Sequence, residues 1–159
     1  MDPLLQLLAI NSKRSAAELA AILGLNVKEV QARIEQAEQD GLILGYHAVV
    51  DRQRAGQRGV TALVEVKITP EREGGFDRLA RRIAKFDQVR ECYLMSGGYD
   101  LAIVVEGNDL LDVANFIAEK LSTIGGVLST ATHFQLKAYK QNGFLAAGAA
   151  DEERLPISP

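Results

Sequence analysis

A chain of 159 residues is long enough for one ordinary domain or two small ones. Its 47% hydrophobic and 25% charged residues are those of a soluble globular protein, and a formal net charge of −3 excludes a strongly basic nucleic-acid protein. Cys92 is the only cysteine, which excludes an internal disulfide and a cysteine-based zinc site and fits a reduced, cytoplasmic protein. No apolar run reaches transmembrane length, and residues 1–10 lack a basic start and a small-residue cleavage site, so no membrane association is expected. Residues 1–58 hold seven basic and seven acidic residues, so the negative balance lies in the rest of the chain.

Residues 2–10, DPLLQLLAI, predict a first helix. Asp2 caps it, Pro3 suits the first helical position, and Leu4, Leu5 and Leu8, with Leu7 beside them, supply its apolar face. Residues 15–34, SAAELAAILGLNVKEVQARI, predict two short helices joined by a sharp turn. Leu19, Ala20 and Leu23 line one face of the first; Val27, Val30, Ile34 and Ala37 line one face of the second. Ser15 and Glu18 form a capping box, Gly24 stands where a left-handed residue must end the helix, and Asn26 caps the next. This is a helix-turn-helix, whose second helix usually enters the DNA major groove. The same pattern also occurs in all-α cores that bind nothing.

With Val30, Ile34 and Ala37 inward, Lys28, Gln31, Ala32 and Glu35 project outward. Lys28 suits a phosphate and Gln31 an adenine edge, whereas Glu29 and Glu35 repel phosphate. The expected DNA-binding set is Lys13, Arg14, Asn26, Lys28, Gln31 and Arg33. Lys13 and Arg14 touch phosphate from the turn before the motif.

Gly41 stops the second motif helix after residue 40. Residues 42–50 are β-rich and predict a short strand or wing. Residues 51–59, DRQRAGQRG, are polar and glycine-containing and predict a linker. A strand is expected over 60–69, and a helix over 75–86 with Phe76, Leu79, Ile83 and Phe86 inward. Arg78, Arg81, Arg82 and Lys85 line that helix's other side and read as a solvated face, with a nucleic-acid patch as the alternative. Strands follow at 89–95 and 101–106, joined by the turn Ser96-Gly97-Gly98-Tyr99-Asp100. A helix over 109–121 with Leu110, Val113, Phe116, Ile117 and Leu121 inward, a break at Gly125-Gly126, and a strand over 127–139 complete the unit. The order β-α-β-β-α-β is that of a ferredoxin-like domain. One sheet face is then open and apolar, to be buried by a partner subunit. Residues 143–159 lose periodicity and read as a mobile tail.

These residues together resemble the leucine-responsive and asparagine-responsive (Lrp/AsnC) family of transcription regulators over residues 2–142. The resemblance is carried by RSAAELAAILGLN and by V-x-x-R-I-x-x-x-E-x-x-G-x-I-x-G-Y at Val30, Arg33, Ile34, Glu38, Gly41, Ile43, Gly45 and Tyr46. Ser96 to Asp100, SGGYD, and G-V-x-x-T-x-T at Gly126, Val127, Thr130 and Thr132 extend it. It implies an α+β chain: an N-terminal winged helix-turn-helix over 1–50, a linker over 51–59, and a ferredoxin-like βαββαβ regulatory domain over 60–142. It also implies double-stranded DNA and a small amino-acid-like effector as partners, and a homodimer, with octamers as a further step. Departures from the family are Ala37 for a usual leucine, Gly125 for a common proline, and Gly98 where polar residues are frequent.

In that light the expected ligand-binding set is Gly97, Gly98, Tyr99, Asp100, Thr130 and Thr132. The glycines leave N–H groups for a carboxylate, Asp100 accepts from an α-ammonium, and the threonines add hydroxyls. The alternative is a hairpin in which Asp100 only caps the turn. No catalytic set, cofactor or metal site is expected. His47 and His133 lack metal-ligand spacing, and Cys92 has no adjacent base. Tetrapyrrole (siroheme-type) decarboxylases share the two-domain architecture and form the enzyme alternative. A scaffold that no longer reads DNA is a third.

Overall fold

A computed structural model describes residues 1–56, 59–70 and 75–146. The chain divides into two compact units, residues 1–48 and residue 49 onward.

The first unit is three helices: α1 (Pro3–Ile10), α2 (Ala16–Leu23) and α3 (Val27–Gln39). Their shared core is Leu4, Leu8, Leu19, Ala20 and Val30, with Leu7, Leu23, Leu25, Ile34 and Ile43 packed around it. Each fully buried leucine or valine there contributes about 1.5–3 kcal/mol of transfer free energy. Two expected inward residues differ. Leu7, not Leu5, joins the core. Val27 is 40% exposed, because the first side chain of a helix leans back toward its N-terminus, past the packed turn.

The expected strand over 42–50 does not form; residues 44–50 carry no regular structure. A strand needs a ladder partner, and this three-helix unit has none to offer. The segment is instead tied back to α3: Gly41 takes a left-handed φ of 68°, Ile43 enters the core, and the Tyr46 hydroxyl donates to Glu38 Oε1 at 2.9 Å.

The second unit is a four-stranded antiparallel sheet with two helical segments. Its strands are β1 (Val60–Ile68), β2 (Val89–Leu94), β3 (Leu101–Gly107) and β4 (Val127–Phe134), in the order β2-β3-β1-β4. Helix α4 is Asp77–Ile83; α5 is Leu110–Asn115 and runs on into a π-helical stretch, Phe116–Leu121. This is the ferredoxin-like order. Ala62, Val64, Val66 and Ile68 of β1 and Leu101, Ile103 and Val105 of β3 are buried beneath Leu79, Ile83, Val113, Phe116, Ile117 and Leu121. Phe86 and Phe116 meet edge to face at 5.4 Å.

The register puts Leu63, Glu65 and Lys67, with Ala102 and Val104, Tyr93, and Ala131 and His133, on the opposite face. Leu63 is 40% and Tyr93 53% exposed. This open face has an apolar centre with charged residues among it, more mixed than the alternation alone suggests.

Four further features depart from expectation. Residues 109–121 are not one regular helix: the Ser122 N–H reaches Ile117 O at 2.8 Å, a five-residue step that widens the last turns. Leu110, expected inward, is 53% exposed at the first helical position, for the same reason as Val27. β4 ends at Phe134 rather than residue 139, because β1 begins at Val60 and its last bond to this strand is Gln135 N–H to Thr61 O. Residues 143–146, expected to open the tail, instead close a hairpin of β5 (Lys140–Gln141) and β6 (Phe144–Leu145). Asn142 and Gly143 hold φ of 46° and 88°, the two positive angles that an Asn-Gly hairpin turn needs. The rest of the expected tail lies outside the described residues.

Candidate functional site

Two sets of residues were expected to carry function, and each folds within one unit. In the first, short-range hydrogen bonds set the helix-turn-helix. Ser15 Oγ accepts from Glu18 N–H at 3.2 Å, and Glu18 Oε2 accepts from Ser15 N–H at 2.7 Å. The Ser15 N–H, and with it the Ser15 hydroxyl, which also donates to Oε2 at 2.8 Å, hold the Glu18 carboxyl below its ordinary range. Gly24 ends α2 at φ 66°, ψ 30°, and Asn26 Oδ1 accepts from Lys28 N–H at 2.9 Å to start α3. Burial of Val30 and Ala37 on one side of α3 leaves Lys28 and Gln31 exposed on the other.

The remaining residues of the DNA-binding set stand in different circumstances. Lys13 is exposed. Arg14 is half-buried, and its Nη1 is enclosed with no hydrogen-bond partner among the described residues. Arg33 donates through Nη2 to Asp2 Oδ2 at 2.8 Å. Asp2 Oδ1 at the same time accepts from Leu4 N–H at 2.8 Å. One carboxylate therefore caps α1 and ties it to α3. That contact spans 31 residues and no local pattern announces it.

In the second unit, the turn between β2 and β3 exposes Ser96, Gly97 and Gly98, while Tyr99 and Asp100 are half-buried. Among the described residues the N–H groups of Gly97 and Gly98 donate to no backbone acceptor. Asp100 is firmly held. Its N–H donates to Val66 O at 3.0 Å, its carbonyl accepts from Met95 N–H at 2.8 Å, and its Oδ2 accepts from Ile68 N–H at 2.8 Å. Ile68 N–H points to the β3 side of β1, beyond the last β1–β3 pair, Val66 with Leu101, so Asp100 satisfies a donor that the end of that ladder leaves unpaired.

Thr130 pairs with Val66, and Thr132 with Val64, from the far side of β1. Directly paired residues share a face, so both threonines lie on the helix-covered side, half-buried. β1 thus runs between the turn and the threonines. Thr130 is level with Asp100, and Thr132 is one pair further along.

Gly97 has a φ of 135°, and Gly98 has open space around it. Gly97→Ala is expected to cost about 1–3 kcal/mol, because an L side chain strains at that angle. Gly98→Ala should leave stability unchanged. Denaturant midpoints of the two variants check this; equal midpoints would show that the turn relaxes freely.

Sequence reasoning missed a polar wall at the other end of the sheet. Glu106 accepts from Arg90 Nε at 2.8 Å and pairs with Arg52 Nη1 at 2.6 Å. Partial burial pushes the Glu106 carboxyl up, but the two guanidiniums outweigh it and the net shift is downward. This wall borders a cavity of about 670 Å³ between residues 49–54 and 135–146. The signal available in sequence was only the basic content of the expected linker.

His133 Nε2 lies 3.5 Å from Glu65 Oε1 on the open sheet face. His47 stands in the other unit. Cys92 is half-buried, with Sγ 3.8 Å from Ala80 O, and burial raises its thiol, which keeps it protonated and unreactive.

Comparison with known proteins adds four findings. The family described as the Lrp/AsnC ligand binding domain matches residues 61–145. The chain is 43% identical over 157 residues to a protein of Bacillus subtilis (strain 168) named as an uncharacterized HTH-type transcriptional regulator, YugG, covering 98% of this chain and 95% of that one. It is 32% identical over 131 residues to the proline dehydrogenase transcriptional activator of Rhodobacter capsulatus, covering 82% and 84%. A solved transcriptional regulator from Neisseria meningitidis in complex with L-Met has the same fold, with a TM-score of 0.64, 24% identity, and coverage of 87% of this chain and 88% of that one.

Proposed function

Because the chain belongs to the Lrp/AsnC family of transcriptional regulators, we propose that α3 reads its operator through Lys28 and Gln31 and that the Gly97–Asp100 turn takes an amino-acid effector. The protein is a DNA-binding regulator responsive to a small effector, not an enzyme, and the decarboxylase alternative is set aside on its relatives. The observation that carries the DNA reading is α3 itself: capped by Asn26, buried on the Val30 side, and exposed at Lys28 and Gln31. Gln31 suits an adenine edge, and Lys28 a phosphate or base. Lys13 and Arg14 contact phosphates from the preceding turn. Asn26 uses Oδ1 as a cap, which leaves its amide to donate to phosphate. Arg33 reaches phosphate with the guanidinium N–H groups that Asp2 does not use.

The effector reading rests on the unpaired N–H groups of Gly97 and Gly98, which favour a carboxylate. Tyr99, Asp100, Thr130 and Thr132 complete this proposed site, and a contact between dimers encloses it. The L-Met bound by the Neisseria meningitidis regulator and the proline dehydrogenase activator among the relatives both point to an amino acid. The open sheet face around Leu63, Val104 and Tyr93 is then the homodimer surface, and dimers assemble further, to octamers. The protein acts in the cytoplasm, in keeping with its single, protonated thiol. No helix among the described residues is long and apolar enough to cross a membrane.

One experiment tests the whole reading: genomic binding selection with the purified chain, with and without each of the twenty amino acids, followed by sedimentation. Recovery of a recurring site, and a shift in occupancy or assembly with at least one amino acid, is expected. Recovery of random fragments would defeat the operator reading, and indifference to all amino acids would defeat the effector reading. A 17.3 kDa monomer at micromolar concentration would defeat the dimer.

A further inference from the structure

A protein that holds duplex DNA needs positive charge to displace condensed counterions. The recognition unit is poor in it. Residues 1–48 carry four basic residues against six acidic ones. Of the four, Arg33 is paired with Asp2 and Arg14 is half-buried, so only Lys13 and Lys28 stand fully exposed. Glu29 and Glu35 lie on α3 itself and repel phosphate.

The densest positive charge lies in the other unit, on α4 and the turn that continues it. Arg78, Arg81, Arg82 and Lys85 recur at steps of three and four, which confines them to an arc of about 100° along a helix. Leu79 and Ile83 are buried against the sheet, and they fix this stripe on the outward side. Arg81, Arg82 and Lys85 are exposed. Arg78 is already engaged and stands outside the proposed contact. Among the described residues Asp77 and Asp87 are the flanking acids, and neither forms an ion pair with Arg81, Arg82 or Lys85. Three cations are therefore held in solvent, two of them arginines, whose planar fork matches a phosphate. From Arg81 to Lys85 the stripe is about 6 Å long, and a duplex presents about three to four phosphates over that length.

We propose that the α4 stripe is a second DNA contact: Arg81, Arg82 and Lys85 bind the phosphate backbone of duplex DNA without reading sequence. The proposal rests on the protein being a DNA-binding regulator. It divides the work between the units. α3 supplies the base contacts, while α4 supplies part of the electrostatic affinity that the recognition unit lacks. A partner protein with an acidic surface is the competing occupant. Duplex DNA is favoured because it is the polyanion this family engages and because the recognition unit's own charge is deficient.

The test compares the full-length parent with the triple variant R81Q, R82Q, K85Q on a long random-sequence duplex, by fluorescence anisotropy across a salt series. Loss of three phosphate contacts should lower the slope of log affinity against log salt by about two to three, a loss of roughly a hundredfold or more at about 0.1 M salt. The ratio of operator to random affinity should stay unchanged, since no base contact is removed. The variant R81K, R82K keeps the charges and should keep the slope. The three side chains are exposed, so thermal unfolding and sedimentation of the triple variant should match the parent. An unchanged slope overturns the proposal, as does a fall in slope that coincides with altered assembly, which would make the stripe a protein contact. If the parent itself binds no DNA, the functional reading fails first, and the two failures are distinguished by that arm.

Discussion

Replacing Lys28 and Gln31 together by alanine is expected to weaken operator binding by about 2–4 kcal/mol, or roughly thirty- to a thousandfold. The two changes should leave different signatures. Lys28→Ala removes a charge, so it should lower the salt slope by about one and weaken binding to every sequence. Gln31→Ala removes a bidentate donor and acceptor, so it should relax the preference at one base pair and leave the slope alone. Neither should disturb folding. Both side chains are exposed, and it is the Lys28 backbone N–H, not its side chain, that Asn26 caps. Alanine also favours the helix. Anisotropy on the selected operator measures the affinities. If both single variants bind as the parent does, α3 presents a different face to DNA.

The second large effect is at Asp100, where the structure changes which substitution is informative. Its Oδ2 accepts the Ile68 N–H just past the end of the β1–β3 ladder. Asp100→Ala leaves that donor unsatisfied and should cost about 1–3 kcal/mol of domain stability, so a lost effector response in that variant would be ambiguous. Asp100→Asn keeps an oxygen able to accept the same bond and removes only the negative charge. Asp100→Asn is therefore expected to melt close to the parent and to bind both random and operator DNA as the parent does. Its effector affinity should fall by about ten- to a hundredfold, the worth of a hydrogen bond to a charged group. Calorimetry against the effector found by selection, with light scattering for assembly, measures this. Binding only matters for regulation if it differs between two assemblies of the protein. An unchanged effector response in Asp100→Asn would reduce the residue to a strut for β1.

The first unit was largely legible because the bonds that define it join residues no more than a few positions apart. Ser15 with Glu18, Asn26 with Lys28, and Gly24 in its left-handed conformation are all local facts of sequence. The apolar spacing of α2 and the alternation of β1 fixed their buried faces for the same reason. The hairpin at residues 140–145 has an equally local signal in Asn142-Gly143, which the tail-like composition after it masks. Other features depended on chain segments far apart in sequence. Arg33 could not be known to hold Asp2, nor Asp100 to hold Ile68, because those partners are 31 and 32 residues away. The end of β4 was set by where β1 begins, and the unformed strand after Gly41 by the lack of a neighbour in its own unit. Local spacing was enough for the helices of the first unit, their caps and most of their buried faces. Which charges pair across the chain was settled in three dimensions: Arg33 meets Asp2, while Arg81, Arg82 and Lys85 stand exposed with no ion pair among the described residues, because such pairing depends on which distant segments the fold brings together.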